Sequence, residues 1–195
     1  MPATDATGRA NQKARTRSAI VEACRELTRS GAEITMPQVA KAAMVSEATA
    51  YRYFPDLVSL LQEALVGLWP PAEDAMAPVA TSTDAAERVA FACEYLMRGV
   101  HDYQGAVRAM LAHTITTQGR VPARPGIRFD LIDHALAPFR TGLTHAALTH
   151  LKQDLAIVIS AEALFVLTDL CGLPVDDAIV AAVRTATTIT RAAFG

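Results

Sequence analysis

The hydrophobic positions of this chain repeat mostly at helical spacing, and no segment shows the alternation that predicts a strand. Ile20, Cys24 and Leu27 recur at i, i+4 and i+7 and predict a first helix. Comparable stripes extend over residues 84–103 and over residues 151–170. We therefore expect an all-α protein whose helices each bury one apolar face.

Three segments near the N-terminus have the order of a helix-turn-helix domain. Thr35 and Gln38 fit a capping box and predict the start of a second helix. Ser46 is a favoured N-cap residue, and it predicts a third helix over residues 47–54 after a tight turn. Pro55 ends that helix. Two short helices joined in this way can present the last of them to the major groove of DNA.

The same patterns divide the chain into three regions. Residues 1–12 read as a disordered tail, and residues 13–56 as the helix-turn-helix domain. Residues 57–195 read as a larger helical domain, with helices predicted over 127–149 and 151–170 and a bend near Pro138.

Charge and composition narrow the class of partner. Residues 1–56 hold eight Lys/Arg against six Asp/Glu, and the rest of the chain holds ten against fourteen. A polyanion is thus expected to meet the N-terminal region. The most apolar run, residues 155–168, is interrupted by Glu162 and is too short to cross a bilayer. With no secretory leader and three widely spaced cysteines, we expect a cytoplasmic protein with reduced thiols and no membrane contact.

The stretch VSEATAYRYFPD, residues 45–56, contains the candidate DNA contacts. Tyrosine suits phosphate contact because its hydroxyl is rigidly held and uncharged, which favours Tyr51 and Tyr53. Arg52 can read guanine or pair with a phosphate. Phe54 is predicted to turn inward and hold the short helix on its neighbours.

Residues 34–65, ITMPQVAKAAMVSEATAYRYFPDLVSLLQEAL, resemble the DNA-binding domain of the TetR (tetracycline repressor) family. The positions that match the family pattern are Thr35, Val39, Ala40, Ala43, Val45, Ser46, Thr49, Tyr51, Tyr53 and Phe54. The resemblance implies a ligand-responsive regulator, most often a repressor, that binds a palindromic operator in double-stranded DNA as a homodimer. The predicted DNA-binding residues are Thr35, Ser46, Glu47, Ala48, Thr49, Tyr51, Arg52 and Tyr53.

Two positions depart from the family pattern. Met44 replaces the turn glycine, which costs on the order of 1 kcal/mol in a left-handed backbone and predicts a slightly different turn. Leu57 replaces a phosphate-contacting lysine. The loss of that contact lowers the slope of log binding constant against log salt concentration by roughly one per half-site. The basic residues of the N-terminus either compensate at phosphates or the minor groove or form a solvated tail. They are Arg9, Lys13, Arg15 and Arg17.

A small-molecule effector and a dimer interface are both expected in the larger domain. The candidate pocket residues combine rings with hydroxyls and imidazoles, although each residue taken alone is better explained as helical core. They are Trp69, Phe91, Tyr95, His101, Met110, His113, Thr114, Thr117, Phe129, His134 and Phe165. The candidate interface residues form stripes on the last two helices. They are Leu151, Leu155, Val158, Phe165, Ile179, Val183, Ala186 and Thr190.

No catalytic or cofactor motif accompanies these features. Asp130, Asp133 and His134 share a helix face that could hold a metal, but a solvated acidic face explains them as well, so no metal or cofactor is expected. No Ser-His-Asp set or glycine-rich phosphate loop is visible, and an enzyme is not expected. The alternatives are a cytosolic all-α small-molecule-binding protein or enzyme without DNA binding, and a helical adaptor that acts through protein partners.

Overall fold

The computed structural model describes residues 4–31, 33–116 and 127–195, and within these ranges all regular secondary structure is helical. The α-helices are α1 (Thr4–Arg29), α2 (Met36–Ala42), α3 (Glu47–Tyr53), α4 (Leu57–Ala64), α5 (Ala72–Ala75), α6 (Ala85–Asp102), α7 (Gln104–Thr116), α8 (Arg128–Leu136), α9 (His145–Val158), α10 (Ala161–Phe165) and α11 (Val175–Phe194). Shorter turns of 3₁₀ type cover Ala77–Val79 and Ala137–Gly142, and a π-type turn covers Val166–Leu170. The all-α prediction is confirmed. None of the helices in the described ranges is both long and apolar enough to cross a bilayer.

The chain divides into two compact units. The first unit holds α1–α4 and α7, and the second holds α5, α6 and α8–α11. This division differs from the predicted boundary after residue 56. The reason is that Leu60 and Leu61 of α4, and Ala106 and Met110 of α7, are buried in the same apolar core as α1–α3. Helices α4 and α7 are therefore structural parts of the helix-turn-helix unit.

Helix α1 begins at Thr4, so residues 4–12 are helical where the sequence predicts a disordered tail. Ala6, Arg9, Ala10 and Gln12 of this segment are residues of high helix propensity. Farther along the helix, Ile20 and Cys24 are fully buried in the core of the first unit. Because extension of an existing helix costs far less than its nucleation, the packed part of α1 supports the exposed part.

Two of the predicted helices are each divided in the second unit. The predicted helix over 151–170 is broken where the Ser160 hydroxyl accepts a hydrogen bond from the Ala163 N–H at 2.9 Å. The predicted bend near Pro138 is a 3₁₀ segment, after which Thr144 caps α9. Ser and Thr side chains compete with the helical backbone for its own hydrogen bonds, which explains why new helices begin at these positions.

The second unit contains a buried arginine that no sequence pattern indicated. The guanidinium of Arg88 donates hydrogen bonds to the carbonyl oxygens of Ala135 at 3.0 Å, His134 at 2.9 Å, Val79 at 2.6 Å and Ala80 at 3.0 Å. A buried charge is strongly unfavourable unless its donors are satisfied. Arg88 therefore joins α6 to the end of α8 and to the turn after α5.

The three cysteines divide into two kinds. Burial raises the pKa of the Cys24 thiol to about 11 and that of Cys93 to about 12. Cys171 is exposed. The first two thiols are therefore structural and inert, as the sequence predicts for the cysteines of this chain, whereas the third lies on the surface.

Candidate nucleic-acid interface

The turn before α3 is a Schellman motif, and its geometry fixes the direction in which α3 leaves the core. The Met44 N–H donates to the Lys41 carbonyl at 3.1 Å, and the Val45 N–H donates to the Ala40 carbonyl at 2.9 Å. Met44 has a φ of 55°, in the left-handed region. The methionine thus adopts the conformation that glycine favours, and no altered turn is found. Its side chain is 92% exposed, so it meets no steric obstacle.

The N-terminus of α2 carries the predicted capping box. The Thr35 N–H donates to Gln38 Oε1 at 2.9 Å, and Gln38 N–H donates to Thr35 Oγ1 at 3.5 Å. Pro37 occupies the first turn, where its missing N–H leaves no helical bond unmade. Thr35 is therefore held with its side chain at the helix start, where it was predicted to meet DNA.

Helix α3 exposes most of the predicted DNA contacts. Ser46 caps it, because its hydroxyl accepts from the Thr49 N–H at 3.2 Å. The exposed members of the set are Ser46, Glu47, Ala48, Tyr51 and Arg52. The half-buried members are Thr35, Thr49 and Tyr53. One face of a two-turn helix is thus available to a partner, and it carries a hydroxyl, a phenol and a guanidinium.

The opposite face of α3 is held in the core. Ala50 and Phe54 are buried, which confirms the inward direction predicted for Phe54. The guanidinium carbon of Arg17 lies 4.6 Å from the centroid of the Phe54 ring. On the outer side, the guanidinium carbon of Arg52 lies 5.6 Å from the centroid of the Tyr53 ring, which restricts the directions that Arg52 can take.

Helix α4 closes the interface and ties it to α1. Asp56 caps α4, because its Oδ1 accepts from the Ser59 N–H at 2.7 Å. The pKa of Asp56 lies below its ordinary value, mainly because this hydrogen bond stabilises the ionised carboxylate. Arg17 forms an ion pair with Glu63 on the far side of α4. The end of α3 is therefore fixed both by its own core residues and by the helix that follows.

The basic residues before the core have different roles in the structure. Lys13 and Arg15 are exposed on the extended part of α1. Arg17 is occupied by Glu63 and by the Phe54 ring. The side chain of Arg9 lies outside the described part of the chain. Exposed Lys13 and Arg15 fit both interpretations, contact with DNA and a solvated surface. Their contact with DNA therefore stays a prediction.

Three of the predicted ligand residues form an aromatic row in the second unit. The rings of Trp69 and Tyr95 meet edge to face at a centroid distance of 6.2 Å. The rings of Phe91 and Tyr95 are stacked with centroids 6.2 Å apart. All three side chains are half-buried. The row offers a partly accessible apolar wall of the kind that ligand sites contain.

The other predicted ligand residues are dispersed. Met110 is buried in the core of the first unit, and Thr114 donates its hydroxyl hydrogen to the Met110 carbonyl at 2.9 Å. His113 is half-buried on the same helix, α7. In the second unit, His101 and Phe129 are exposed, whereas His134 and Phe165 are half-buried. Thr117 lies outside the described residues. The predicted ligand residues of α7 therefore belong to the first unit, whereas the aromatic row belongs to the second unit.

Most of the predicted dimer residues are buried within the protomer. They are Leu151, Leu155, Ile179, Ala186 and Thr190. Helices α9 and α11 pack on each other, and their apolar stripes form the interior of the second unit. Val158, Phe165 and Val183 are half-buried. The apolar side chains that remain exposed on these helices and the intervening turn are different ones, namely Ile157, Val166, Leu170 and Val180.

The acidic face of α8 has an ionic partner of its own. Asp133 Oδ1 lies 2.6 Å from the ammonium of Lys152. Asp130, Asp133 and His134 line an open cleft of about 410 Å³ together with Arg140. Among the described residues, no group of three or more His, Cys, Asp or Glu side chains is arranged to hold a metal ion. The Asp133 carboxylate is thus paired with a lysine, as on a solvated charged face.

The geometry above is that of a helix-turn-helix domain, and comparisons with known proteins show what this domain resembles. The sequence model described as "Bacterial regulatory proteins, tetR family" matches residues 19–64. The crystal structure of a TetR transcriptional regulator from Rhodococcus sp. RHA1 shares the fold, with a TM-score of 0.51 and 24% sequence identity over 91% of this chain and 97% of that chain. No curated protein sequence matches the chain. Residues 19–64 are thus similar to the N-terminal domain of bacterial regulatory proteins of the TetR family.

Proposed function

We propose that the protein is a ligand-responsive transcriptional repressor that acts in the cytoplasm and binds a palindromic operator as a homodimer. The observation that carries this proposal is the division of α3 into two faces. Ser46, Tyr51 and Arg52 are exposed, while Ala50 and Phe54 fix the helix from behind. A short helix presented in this way can enter the major groove without unfolding its support.

The exposed side chains have distinct roles in the proposed complex. The Tyr51 hydroxyl donates a hydrogen bond to a phosphate oxygen and sets the register of the protein on the duplex. The Arg52 guanidinium can donate two hydrogen bonds to O6 and N7 of guanine, which supplies base preference. Since Tyr53 restricts Arg52, this preference is expected to hold at one position of each half-site.

The test is selection and measurement of a binding duplex. Duplexes recovered from a random-sequence pool by the parent protein should contain an inverted repeat. Tyr51→Phe should weaken binding to all sequences equally, whereas Arg52→Ala should cost about 1–3 kcal/mol and relax one base position. Arg140→Ala, an exposed arginine of the second unit, is the matched control. Failure to recover any preferred duplex would refute the proposed function.

Dimerisation is part of the proposal because one short helix reads too few base pairs. Two half-sites in successive major grooves lie about 34–36 Å apart, so two recognition helices must be held together. Ile157, Leu170 and Val180 are large apolar side chains that are 73%, 81% and 61% exposed, and apolar surface of this kind is what an interface would cover. We place the interface on these residues, together with the half-buried Val158 and Val183, and not on the buried stripes.

The effector is proposed to bind at the aromatic row. Trp69 begins the second unit directly after Leu68, which ends the first part of the first unit. The chain returns to the first unit between His101 and Asp102, at the end of α6. A ligand that moves the Trp69 ring would therefore act on the segments through which the units are joined.

Binding at this row has a direct spectroscopic readout. Trp69 is the single tryptophan of the chain, so its fluorescence reports on this position alone. Planar aromatic compounds that bind should change Trp69 emission and lower affinity for the selected duplex. Tyr95→Ala should weaken the fluorescence response and leave DNA binding by the unliganded protein unchanged. Compounds that alter DNA affinity equally in the parent and Tyr95→Ala proteins would place the effector elsewhere.

A further inference from the structure

We propose that Arg108 of α7 contacts a DNA phosphate beside the recognition helix, which makes α7 part of the DNA-binding surface. The inference rests on the proposed function and concerns the first unit alone. A groove of about 670 Å³ in that unit is lined on one side by the helix-turn-helix region and on the other by α7. One wall includes Thr35, Tyr51 and Leu57, and the other includes Gln104 and Arg108 of α7.

The position of this groove follows from the residues that it shares with the interface. Thr35 and Tyr51 are both predicted DNA contacts, and both line it. A phosphate that accepts a hydrogen bond from Tyr51 therefore lies near the mouth of the groove. The DNA backbone must pass along the same side of the unit, because successive phosphates follow the rim of the major groove.

Charge complementarity selects Arg108 as the group that meets this backbone. Leu57 gives the start of α4 no positive charge, and the wall around it is apolar, with Ile34, Met36 and Ala109. Among the described residues that line the groove, Arg108 is the cation, and its side chain is exposed. Low-dielectric walls strengthen the attraction between a cation and a phosphate relative to open water.

Helix α7 holds Arg108 firmly enough for such a contact. Gly105, Ala106 and Met110 on the inner face of α7 are buried, and the last two belong to the core that α4 shares. Small residues at 105 and 106 allow α7 and α4 to approach closely. The backbone of Arg108 thus has a fixed position relative to α3 and α4 within the first unit.

The carboxylate of Glu33 opposes this contact, so its removal should change DNA affinity in the opposite direction from removal of Arg108. Glu33 is exposed and lines the same groove. Its charge repels a phosphate at the position proposed, so its removal should strengthen binding. If instead the groove held only an apolar small molecule, neither Glu33 nor Arg108 would influence how DNA affinity depends on salt.

The experiment measures the affinity of the full chain for a duplex selected by the parent protein, over a series of salt concentrations. Arg108→Ala should lower affinity and reduce the slope of log K against log salt by about one per protomer. Arg108→Lys should retain the slope, and Glu33→Gln should raise the affinity. Arg140→Ala is the control and should change neither quantity, since Arg140 lies in the second unit.

A rescue variant separates loss of a phosphate contact from loss of structure. The double variant Leu57→Lys with Arg108→Ala returns a positive charge to the opposite wall of the groove and should restore the slope. Arg108→Gln, which keeps a polar side chain, should lose the slope as Arg108→Ala does. If the parent binds the duplex and Arg108→Ala keeps its affinity and slope, this inference is wrong while the proposed function stands. A parent protein that binds no duplex would refute the proposed function itself.

Discussion

Trp69 lies so close to Gly99 that a Cβ on residue 99 would overlap the six-membered ring of the indole. Tyr95, one turn earlier on α6, meets the same ring edge to face. Gly99 costs helix stability, because glycine is about 1 kcal/mol less favourable than alanine in a helix interior. The glycine therefore has a packing reason, which is to admit the indole at the point where the chain enters the second unit.

Gly99→Ala is expected to displace the indole. The gain in helix propensity of about 1 kcal/mol is opposed by an overpacking cost of typically 1–3 kcal/mol. The emission of Trp69, the single tryptophan, should shift to longer wavelength as the ring becomes solvated. Gly8→Ala on α1 is the control, because a Cβ there meets nothing within 4 Å and the emission should not change. Unchanged emission in Gly99→Ala would show that the ring tolerates the methyl group.

The left-handed backbone of Met44 predicts a stabilising substitution. Met44→Gly removes a strain of about 1–2 kcal/mol but adds freedom to the unfolded chain, so a net gain of up to about 1 kcal/mol is expected. Met44→Ala is the control, since it shortens an exposed side chain and keeps the strain. Denaturant unfolding would measure both variants. A Met44→Gly variant that is less stable than Met44→Ala would contradict the left-handed conformation.

The N-cap of α4 predicts a pH-dependent contribution to stability. The Ser59 N–H holds the pKa of Asp56 below its ordinary value. A carboxyl whose pKa is lower in the folded state stabilises the fold above the unfolded pKa, near 4 for Asp, and this contribution is lost as the pH falls through the folded value. Asp56→Asn keeps a neutral cap. The stability difference between parent and Asp56→Asn, measured by urea unfolding, should therefore be present at pH 7 and shrink below about pH 4.

Asp56→Ala removes the cap altogether and isolates the hydrogen bond itself. A loss of about 1 kcal/mol at neutral pH is expected, as for other Asp caps. Asp56→Ser should recover most of this loss, because a hydroxyl can accept the same hydrogen bond. A parent protein that gains stability relative to Asp56→Asn as the pH falls would contradict the sign of the shift.

The helix-turn-helix region could be predicted from sequence because its determinants are short-range. Thr35 and Gln38 are three residues apart, and Ser46 and Asp56 each cap a helix within three residues of their own position. Such side chain to backbone contacts need no knowledge of the rest of the fold. The inward direction of Phe54 could likewise be predicted from its position at the end of that short helix.

The contacts that the sequence did not reveal are between residues distant in the chain. A stripe such as Ile179 and Ala186 shows that a helix face is buried, but not whether α9 or a second protomer covers it. Arg88 reads as a surface residue because its four carbonyl partners come from two separate segments. Likewise, no nearby sequence feature marks Arg108 as a DNA contact, because only the packing of α7 brings it to the groove.

The proposed dimer interface is tested by charge placed on exposed residues, which leaves the interior of the protomer intact. Val180→Glu and Leu170→Glu should give folded monomers at micromolar concentration, because each would place an unpaired carboxylate in an apolar interface. Thr185→Glu, on another face of α11, is the control and should remain dimeric. Sedimentation gives the oligomeric state, and thermal unfolding shows whether each variant is folded.

DNA binding supplies the second readout for the same variants. Monomers retain intact recognition helices, so Val180→Glu should keep weak binding to a single half-site. It should lose the additional affinity, of order 10²–10⁴-fold, that two linked sites provide. Ile179→Glu is the informative contrast, because Ile179 is buried against the protomer's own core and its replacement should unfold the second unit. If Val180→Glu stays dimeric and Ile179→Glu is a folded monomer, the interface lies on the buried stripe of α11 and not on the exposed face that we propose.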